Sequence, residues 1–108
     1  MKIVYIVSPF RGDTKRNIAK ACDYCKAAVR AGVMPIAPHL LYPQFMDDSD
    51  REQRKLGLSF ALQLLRKCDE LWVCGNDITD GMLGEMEAAQ DCKIPIRYFD
   101  SDGKEVLL

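Results

Sequence analysis

Residues 71–89, LWVCGNDITDGMLGEMEAA, contain an apolar run, a polar turn and the start of a helix, in that order. The run 71–74 is short and rich in β-forming residues, which is typical of a strand covered on both faces in a parallel sheet. Thr79 or Asp80 can cap the helix that follows. The inward side of this helix would carry three apolar residues, Met82, Met86 and Ala89. The segment therefore predicts one strand–turn–helix unit of an α/β protein.

Glu85 lies between these apolar positions, on the same side of the predicted helix. A carboxylate sealed from water is costly, so this charge either reaches solvent at the edge of the sheet or has a function. Gly81 and Gly84 each cost the helix roughly 1 kcal/mol relative to alanine, which indicates close approach of the backbone to another group. Ordinary turn chemistry, followed by a glutamate that favours the positive end of the helix, is the alternative.

With 48% hydrophobic residues, the composition favours one compact domain over residues 1–108. Fifteen basic and sixteen acidic residues nearly cancel, so neither a nucleic acid polymer nor an anionic membrane is expected as the main partner. The apolar run near the N-terminus is too short for a signal peptide or a membrane span. We therefore expect a cytoplasmic protein.

The five cysteines are odd in number and lie in helix-like or strand-like segments, which predicts reduced thiols. Cys22 and Cys25 have the spacing of a redox or zinc motif, but a zinc site would need a second pair. The spacing Ile18, Cys22, Cys25, Val29 instead predicts one apolar helical stripe packed in the core. No metal or redox cofactor is implied.

Strands and helices alternate along the rest of the chain. Strands are predicted at residues 2–7, 33–37, 70–74 and 94–99, with a possible edge strand at 105–108, and helices at 14–31, 51–68 and from 79 or 80 to about 92. This alternation predicts a three-layer α/β/α sandwich around a mostly parallel sheet of four or five strands, flavodoxin-like or Rossmann-like, in the order 2-1-3-4. Ligands of such sheets bind where loops 8–13 and 75–84 would meet.

The second helix is apolar on more than one side. Its stripe toward the sheet would contain Leu58, Ala61, Leu62, Leu65 and Cys68. Phe60 and Leu64 add apolar surface beyond that stripe, so a second subunit could cover part of this helix and the protein is expected to be a homo-oligomer.

The loop after the first strand offers a hydroxyl, an aromatic face, a guanidinium and a permissive glycine in Ser8, Phe10, Arg11 and Gly12. These groups suit a phosphate or ribose site, although the pattern matches neither a Walker loop nor a dinucleotide fingerprint. A capped tight turn with a surface arginine is the alternative. His39 follows the second strand at the same edge of the sheet, where it could contact a ligand or only form a structural hydrogen bond.

Three segments together resemble the nucleoside 2-deoxyribosyltransferase superfamily, in particular its short members described as domains of unknown function. They are Ser8-Pro9-Phe10-Arg11-Gly12, residues 68–73 (CDELWV), and the pattern of Gly81, Glu85 and Ala89 at four-residue spacing. The resemblance covers nearly the whole chain. It implies that Glu85 attacks the anomeric carbon of a nucleoside or nucleoside 5′-monophosphate, releasing the base and leaving a glycosyl-enzyme ester that a second base or water resolves.

The resemblance also implies roles for other residues. Tyr5 would support the nucleophile, while Phe10 could stack on the ligand. Substrate contacts would come from Ser8, Phe10, Arg11, Gly12, His39, Thr79, Asp80, Gly81 and Met82. The partner would be a small nucleoside or nucleotide, no cofactor is implied, and a neighbouring subunit often completes the site in this superfamily.

Ala61 departs from the family pattern. Active members carry an aspartate at this place on the second helix, so protonation of the departing base would fall to His39, Asp80 or an acid of a loop. A non-catalytic nucleotide-binding or sensing module is therefore the alternative function. A purely structural oligomer subunit would explain the apolar second helix but not the glycines.

Overall fold

The computed structural model describes residues 1–107. Within them the chain forms β1 (Ile3–Val7), α1 (Thr14–Arg30), β2 (Met34–Ile36), α2 (Arg51–Leu65), β3 (Glu70–Cys74), α3 (Asp80–Asp91), β4 (Ile96–Phe99) and β5 (Glu105–Val106). Two short 3₁₀ helices, Pro38–Leu40 and Tyr42–Gln44, lie in the connection between β2 and α2. No helix within the described residues has the length and apolar character needed to cross a bilayer.

The strands form one sheet in the order β2-β1-β3-β4-β5. The first four are parallel, and β5 pairs antiparallel with β4. The predicted α/β sheet and its strand order are confirmed, with element ends that differ by a few residues. The predicted edge strand is observed at Glu105–Val106, while Leu108, its predicted last residue, lies outside the described residues.

The sheet is covered by helices on both faces because side chains of a strand alternate in direction. Tyr5 and Val7 of β1 pack with the ends of α2 and α3 on one face. Val4 and Ile6 pack with α1 on the other face. β3 is buried along its whole length, as predicted for a strand covered on both faces, and Trp72 packs on the α1 side.

The predicted apolar stripe of α1 is wrong. Val29 is 63% exposed, Cys22 and Ile18 are also exposed, and Cys25 is only half-buried. The buried stripe is formed by Ala21, Tyr24 and Ala28. Small alanine side chains let the helix lie close to the sheet on either side of one large tyrosine, so the larger apolar residues are turned outward. All five cysteines are free thiols, as predicted.

The predicted stripe of α2 is also wrong at its N-terminal end, where Leu58 is 58% exposed. Only the C-terminal half of α2 packs on the sheet, through Leu65. The helix also packs on the connection 38–50: the centroids of the Phe60 and Tyr42 rings lie 5.5 Å apart, and Leu64 packs on the core. Phe60 and Leu64 are therefore partly buried within the chain, whereas the sequence predicted additional apolar surface there.

Glu70, at the start of β3, is a buried carboxylate with three donors. Lys2 Nζ and Trp72 Nε1 each donate at 2.8 Å, and Arg97 Nη1 donates at 3.3 Å. Burial alone would raise the pKa of Glu70, but these hydrogen bonds hold the pKa down to about 2. The carboxylate thus ties the N-terminus, β3 and β4 together while ionised.

Glu70→Gln is expected to lower the free energy of unfolding at pH 7 by about 2 kcal/mol, because two cations lose their buried partner while solvent screens them. The folded-state pKa of about 2 lies below the ordinary 4.5, so the stabilisation is complete above pH 4.5 and is lost as the pH falls through about 2. Urea unfolding at pH 7 and near pH 2 measures both effects. Glu105→Gln, at the exposed end of the same network, is the control, and an equal loss for both variants would contradict this role of Glu70.

Candidate active site

The loops that follow β1 and β3 meet at the carboxyl end of the sheet, as predicted. Gly75 has a φ of +103°, and a Cβ placed on it would lie 3.3 Å from the Tyr24 hydroxyl and 3.6 Å from Pro9. A side chain at this position would therefore strain the backbone and crowd both neighbours. Gly75 turns the chain so that α3 can begin with Thr79 as its cap, whose Oγ1 accepts from Met82 N at 3.3 Å.

A cavity of about 190 Å³ opens beside this edge, on the face of the sheet that carries α2 and α3. Four predicted site residues line it: Tyr5, Phe10, His39 and Glu85. The connection 38–50 and α2 supply the other walls, which are Pro38, Tyr42, Pro43, Met46, Asp48, Gln53, Arg54, Gly57, Leu58 and Ala61. The structure thus brings together side chains from β1, the β1–α1 loop, the connection, α2 and α3.

Glu85 projects from α3 toward Tyr5 and is half-buried. Burial raises the pKa of Glu85, and interaction with the Tyr5 hydroxyl partly offsets that rise. Tyr5 is 1% exposed, and burial followed by the charge of Glu85 raises the pKa of its hydroxyl far above the usual range. The hydroxyl therefore keeps its proton and can donate a hydrogen bond to the Glu85 carboxylate.

His39 is held by Ser8, whose Oγ lies 2.8 Å from His39 Nε2. Burial lowers the pKa of His39 to about 4, so its imidazole is neutral at pH 7. The Phe10 ring meets the His39 ring edge to face, with centroids 6.4 Å apart. His39 thus has the structural hydrogen bond and also lines the cavity, so contact with a ligand stays a prediction.

Arg11 does not line this cavity. Its guanidinium pairs with the carboxylate of Asp48, a residue that does. Both belong to an open cleft that adjoins the cavity and is also lined by Arg51 and Arg54. Because Asp48 and Arg54 line the cavity and the cleft alike, the Arg11–Asp48 pair lies at the cavity mouth.

The other predicted substrate contacts lie away from the cavity. Ser8 lines a polar cleft on the α1 side of the sheet, and Gly12 precedes α1 with a φ of +98°. Met82 is buried in the core, whereas the first residues of α3 are exposed, namely Thr79, Asp80 and Gly81. The close backbone approach predicted at Gly81 and Gly84 is not observed within residues 1–107: the nearest atom to a Cβ on Gly81 is 3.9 Å away, and Gly84 has none within 4 Å.

Apart from Ala61, which the resemblance placed at a site position, sequence reasoning missed the contribution of α2 to the cavity. Arg54, Gly57, Leu58 and Ala61 are spaced three and four residues apart, so they share one helical face. A glycine in mid-helix on the face that carries Ala61 was the available signal, since both residues leave space beside the helix. The described residues contain no group of three or more His, Cys, Asp or Glu side chains placed to bind a metal ion.

Residues 2–99 match a protein family described as Domain of unknown function (DUF7768). The chain belongs to this family. No curated protein matches this DUF7768 member. Among solved structures, its fold is similar to that of a 2-deoxyribosyltransferase from the psychrotolerant bacterium Bacillus psychrosaccharolyticus, with a TM-score of 0.71, 18% identity and coverage of 97% of this chain and 77% of that one.

Two further structures share this fold with the DUF7768 member. A 2-deoxyribosyltransferase from Leishmania mexicana matches with a TM-score of 0.65, 16% identity and coverage of 93% of this chain and 65% of that one. A conserved protein from Enterococcus faecalis matches with a TM-score of 0.58, 16% identity and coverage of 92% and 63%. The resemblance to 2-deoxyribosyltransferases is thus confirmed at the level of the fold.

Glu85→Gln is expected to raise the free energy of unfolding at pH 7 by about 1 kcal/mol, because a neutral amide costs less to bury than a carboxylate. A raised folded-state pKa means that the fold binds the proton of Glu85 more tightly than the unfolded chain does. The destabilisation is therefore full above that raised pKa and disappears as the pH falls through it toward 4.5. Thermal unfolding at pH 7 and pH 4.5 tests this, with the exposed Glu87→Gln on the same helix as control. A Glu85→Gln variant that is less stable than the wild type at pH 7 would contradict it.

Proposed function

We propose that the protein cleaves or transfers the N-glycosidic bond of a deoxynucleoside, nucleoside or nucleoside 5′-monophosphate, with Glu85 as nucleophile. The observation that carries this proposal is the half-buried Glu85 carboxylate, which interacts with the Tyr5 hydroxyl at the wall of a cavity. The fold shared with two 2-deoxyribosyltransferases supports the same chemistry.

In the first step a free carboxylate oxygen of Glu85 would attack C1′ of the sugar. The C1′–N bond breaks, its electron pair leaves with the base, and a glycosyl ester forms on Glu85. Tyr5 would keep its proton and position the carboxylate throughout, which the raised pKa of its hydroxyl supports. A second base or a water molecule then attacks C1′ and releases Glu85. Attack by a base is transfer, and attack by water is hydrolysis.

The cavity walls suit a planar base attached to a sugar. Phe10 and Tyr42 provide aromatic surface, and Gly57 and Ala61 leave space on the facing side of α2. Aromatic side chains stack on any base because every base has a π-face. Arg54 and the Arg11–Asp48 pair place charged groups at the mouth, where the polar end of a nucleotide could lie.

A binding or sensing module without catalysis is the second candidate function. The observation that favours it is Ala61, which lines the cavity where active members of the superfamily would carry a carboxylate. A protein of this kind would bind the nucleoside or nucleotide with the same walls and leave the glycosidic bond intact.

Base release separates these two functions. The purified protein is incubated with a panel of deoxynucleosides, ribonucleosides and their 5′-monophosphates, and free base is measured by chromatography. The proposal expects base release that falls at least about 100-fold in Glu85→Gln and is retained in the exposed Glu87→Gln.

Thermal stabilisation by the same ligands without base release would favour the binding module. Neither release nor stabilisation by any member of the panel would contradict both functions.

We further propose that the protein is a homo-oligomer. Leu56 and Leu58 of α2 and Leu83 of α3 remain exposed, and Leu58 also lines the cavity. Exposed apolar residues on neighbouring helices are typical of a subunit interface. Sedimentation at micromolar concentration is expected to show a species larger than the monomer, and a monomeric profile would contradict this proposal. Leu58→Glu should shift the profile toward the monomer, whereas the exposed Val29→Glu on α1 should not.

A further inference from the structure

Three groups could assist departure of the base in place of the carboxylate missing at Ala61: His39, Asp80 and an acid of the connection 38–50. Asp80 is exposed in the first turn of α3 and does not line the cavity. Asp48 lines the cavity, but its side chain is 54% exposed and pairs with Arg11. An ion pair favours the ionised carboxylate, which has no proton to share. His39 remains.

Ser8 determines which nitrogen of His39 carries the proton. Ser8 is only 6% exposed, and within residues 1–107 its hydroxyl has one hydrogen-bond partner, His39 Nε2. A buried hydroxyl proton needs an acceptor, so Ser8 donates and Nε2 accepts. A neutral imidazole that accepts at Nε2 carries its proton on Nδ1.

The Nδ1–H group of His39 is therefore free to donate into the cavity. It has no hydrogen-bond partner within the described residues. Residues 1–107 contain no buried side-chain nitrogen or oxygen that lacks a hydrogen-bond partner. Since Nδ1 has no partner, it is not fully buried and it reaches open space. His39 lines the cavity that contains Glu85, and we take this cavity as the open space that the Nδ1–H group enters.

We propose that His39 donates a hydrogen bond from Nδ1 to the departing base, with Ser8 as the residue that positions it. This inference rests on the proposed function. As the Glu85–C1′ bond forms and the C1′–N bond breaks, the electron pair moves onto the base. The Nδ1–H group stabilises the negative charge that develops on an acceptor atom of the base. The proton that neutralises the released base comes from water, so His39 itself stays neutral.

The role of His39 predicts that the loss of kcat caused by substituting His39 depends on the acidity of the leaving base. A base that is already acidic needs little stabilisation, whereas a weakly acidic base needs much. His39→Gln keeps an acceptor for Ser8 near the Nε2 position but loses the Nδ1 donor, and His39→Asn keeps a donor near the Nδ1 position. These two variants therefore separate donation to the base from packing.

The test uses the base class that the wild type cleaves, in a series of nucleosides whose ring substituents make the base progressively more acidic. His39→Gln is expected to lose about 100-fold in kcat on the least acidic base and progressively less as the base becomes more acidic. Ser8→Ala should show the same trend with a smaller loss, and His39→Asn should recover part of the rate. Glu85→Gln should lose activity on every member of the series.

If His39→Gln lost the same factor in kcat on every member of the series, this inference would be overturned, since His39 would then have a structural role. The same trend in Asp48→Asn, with none in His39→Gln, would also overturn it and would assign the role to the loop acid. Base release by the wild type in either case leaves the proposed function standing. No base release from any substrate would reject the proposed function, and the role of His39 with it.

Discussion

The parallel pairing of β1 with β3 places two fully covered strands side by side in the middle of the sheet. Because their side chains are buried on both faces, polar groups must gather where these strands end. Tyr5 is the exception within β1, as its ring packs in the core while its hydroxyl reaches Glu85. The position of the candidate nucleophile thus depends on how α3 packs on the face of the sheet that carries Tyr5.

Two carboxylates of this small protein have opposite electrostatic environments. Glu70 is buried with three donors, two of them cations, and its pKa is lowered to about 2. Burial raises the pKa of Glu85, and one neutral hydroxyl, that of Tyr5, offsets this rise only in part. The number and charge of the donors decide the sign of the shift. The first arrangement stabilises the fold, and the second retains a poorly compensated carboxylate beside a cavity, as is typical of functional sites.

The connection 38–50 and α2 give the cavity its shape. Gly57 and Ala61 leave room on one face of α2, and Tyr42 of the connection adds a wall while its ring packs on Phe60. The same packing covers part of the apolar surface that the sequence assigned to a subunit interface. The helix therefore lines the cavity with residues between 53 and 61 and packs on the core toward its C-terminal end. An averaged helical stripe does not distinguish these two uses.

The alternation of strands and helices was sufficient to predict the sheet and its order. Strong local signals supported each element: a continuous apolar run for β3, Thr79 as the cap of α3, and Gly75 at a turn with a positive φ. The rotation of α1 about its axis was not predictable in this way. Alanine packs as well as larger residues when a helix lies close to a sheet, and hydrophobicity alone ranks those larger residues first.

The amino-acid sequence by itself determined the α/β fold, the edge of the sheet where polar groups gather, and Glu85 as the carboxylate of interest. Only the tertiary structure decided which candidates share the cavity. It placed His39 and Tyr5 with Glu85, paired Arg11 with Asp48, and kept the start of α3 away. The physical reason is that periodicity and capping act over a few neighbouring residues, whereas the cavity depends on long-range packing between elements.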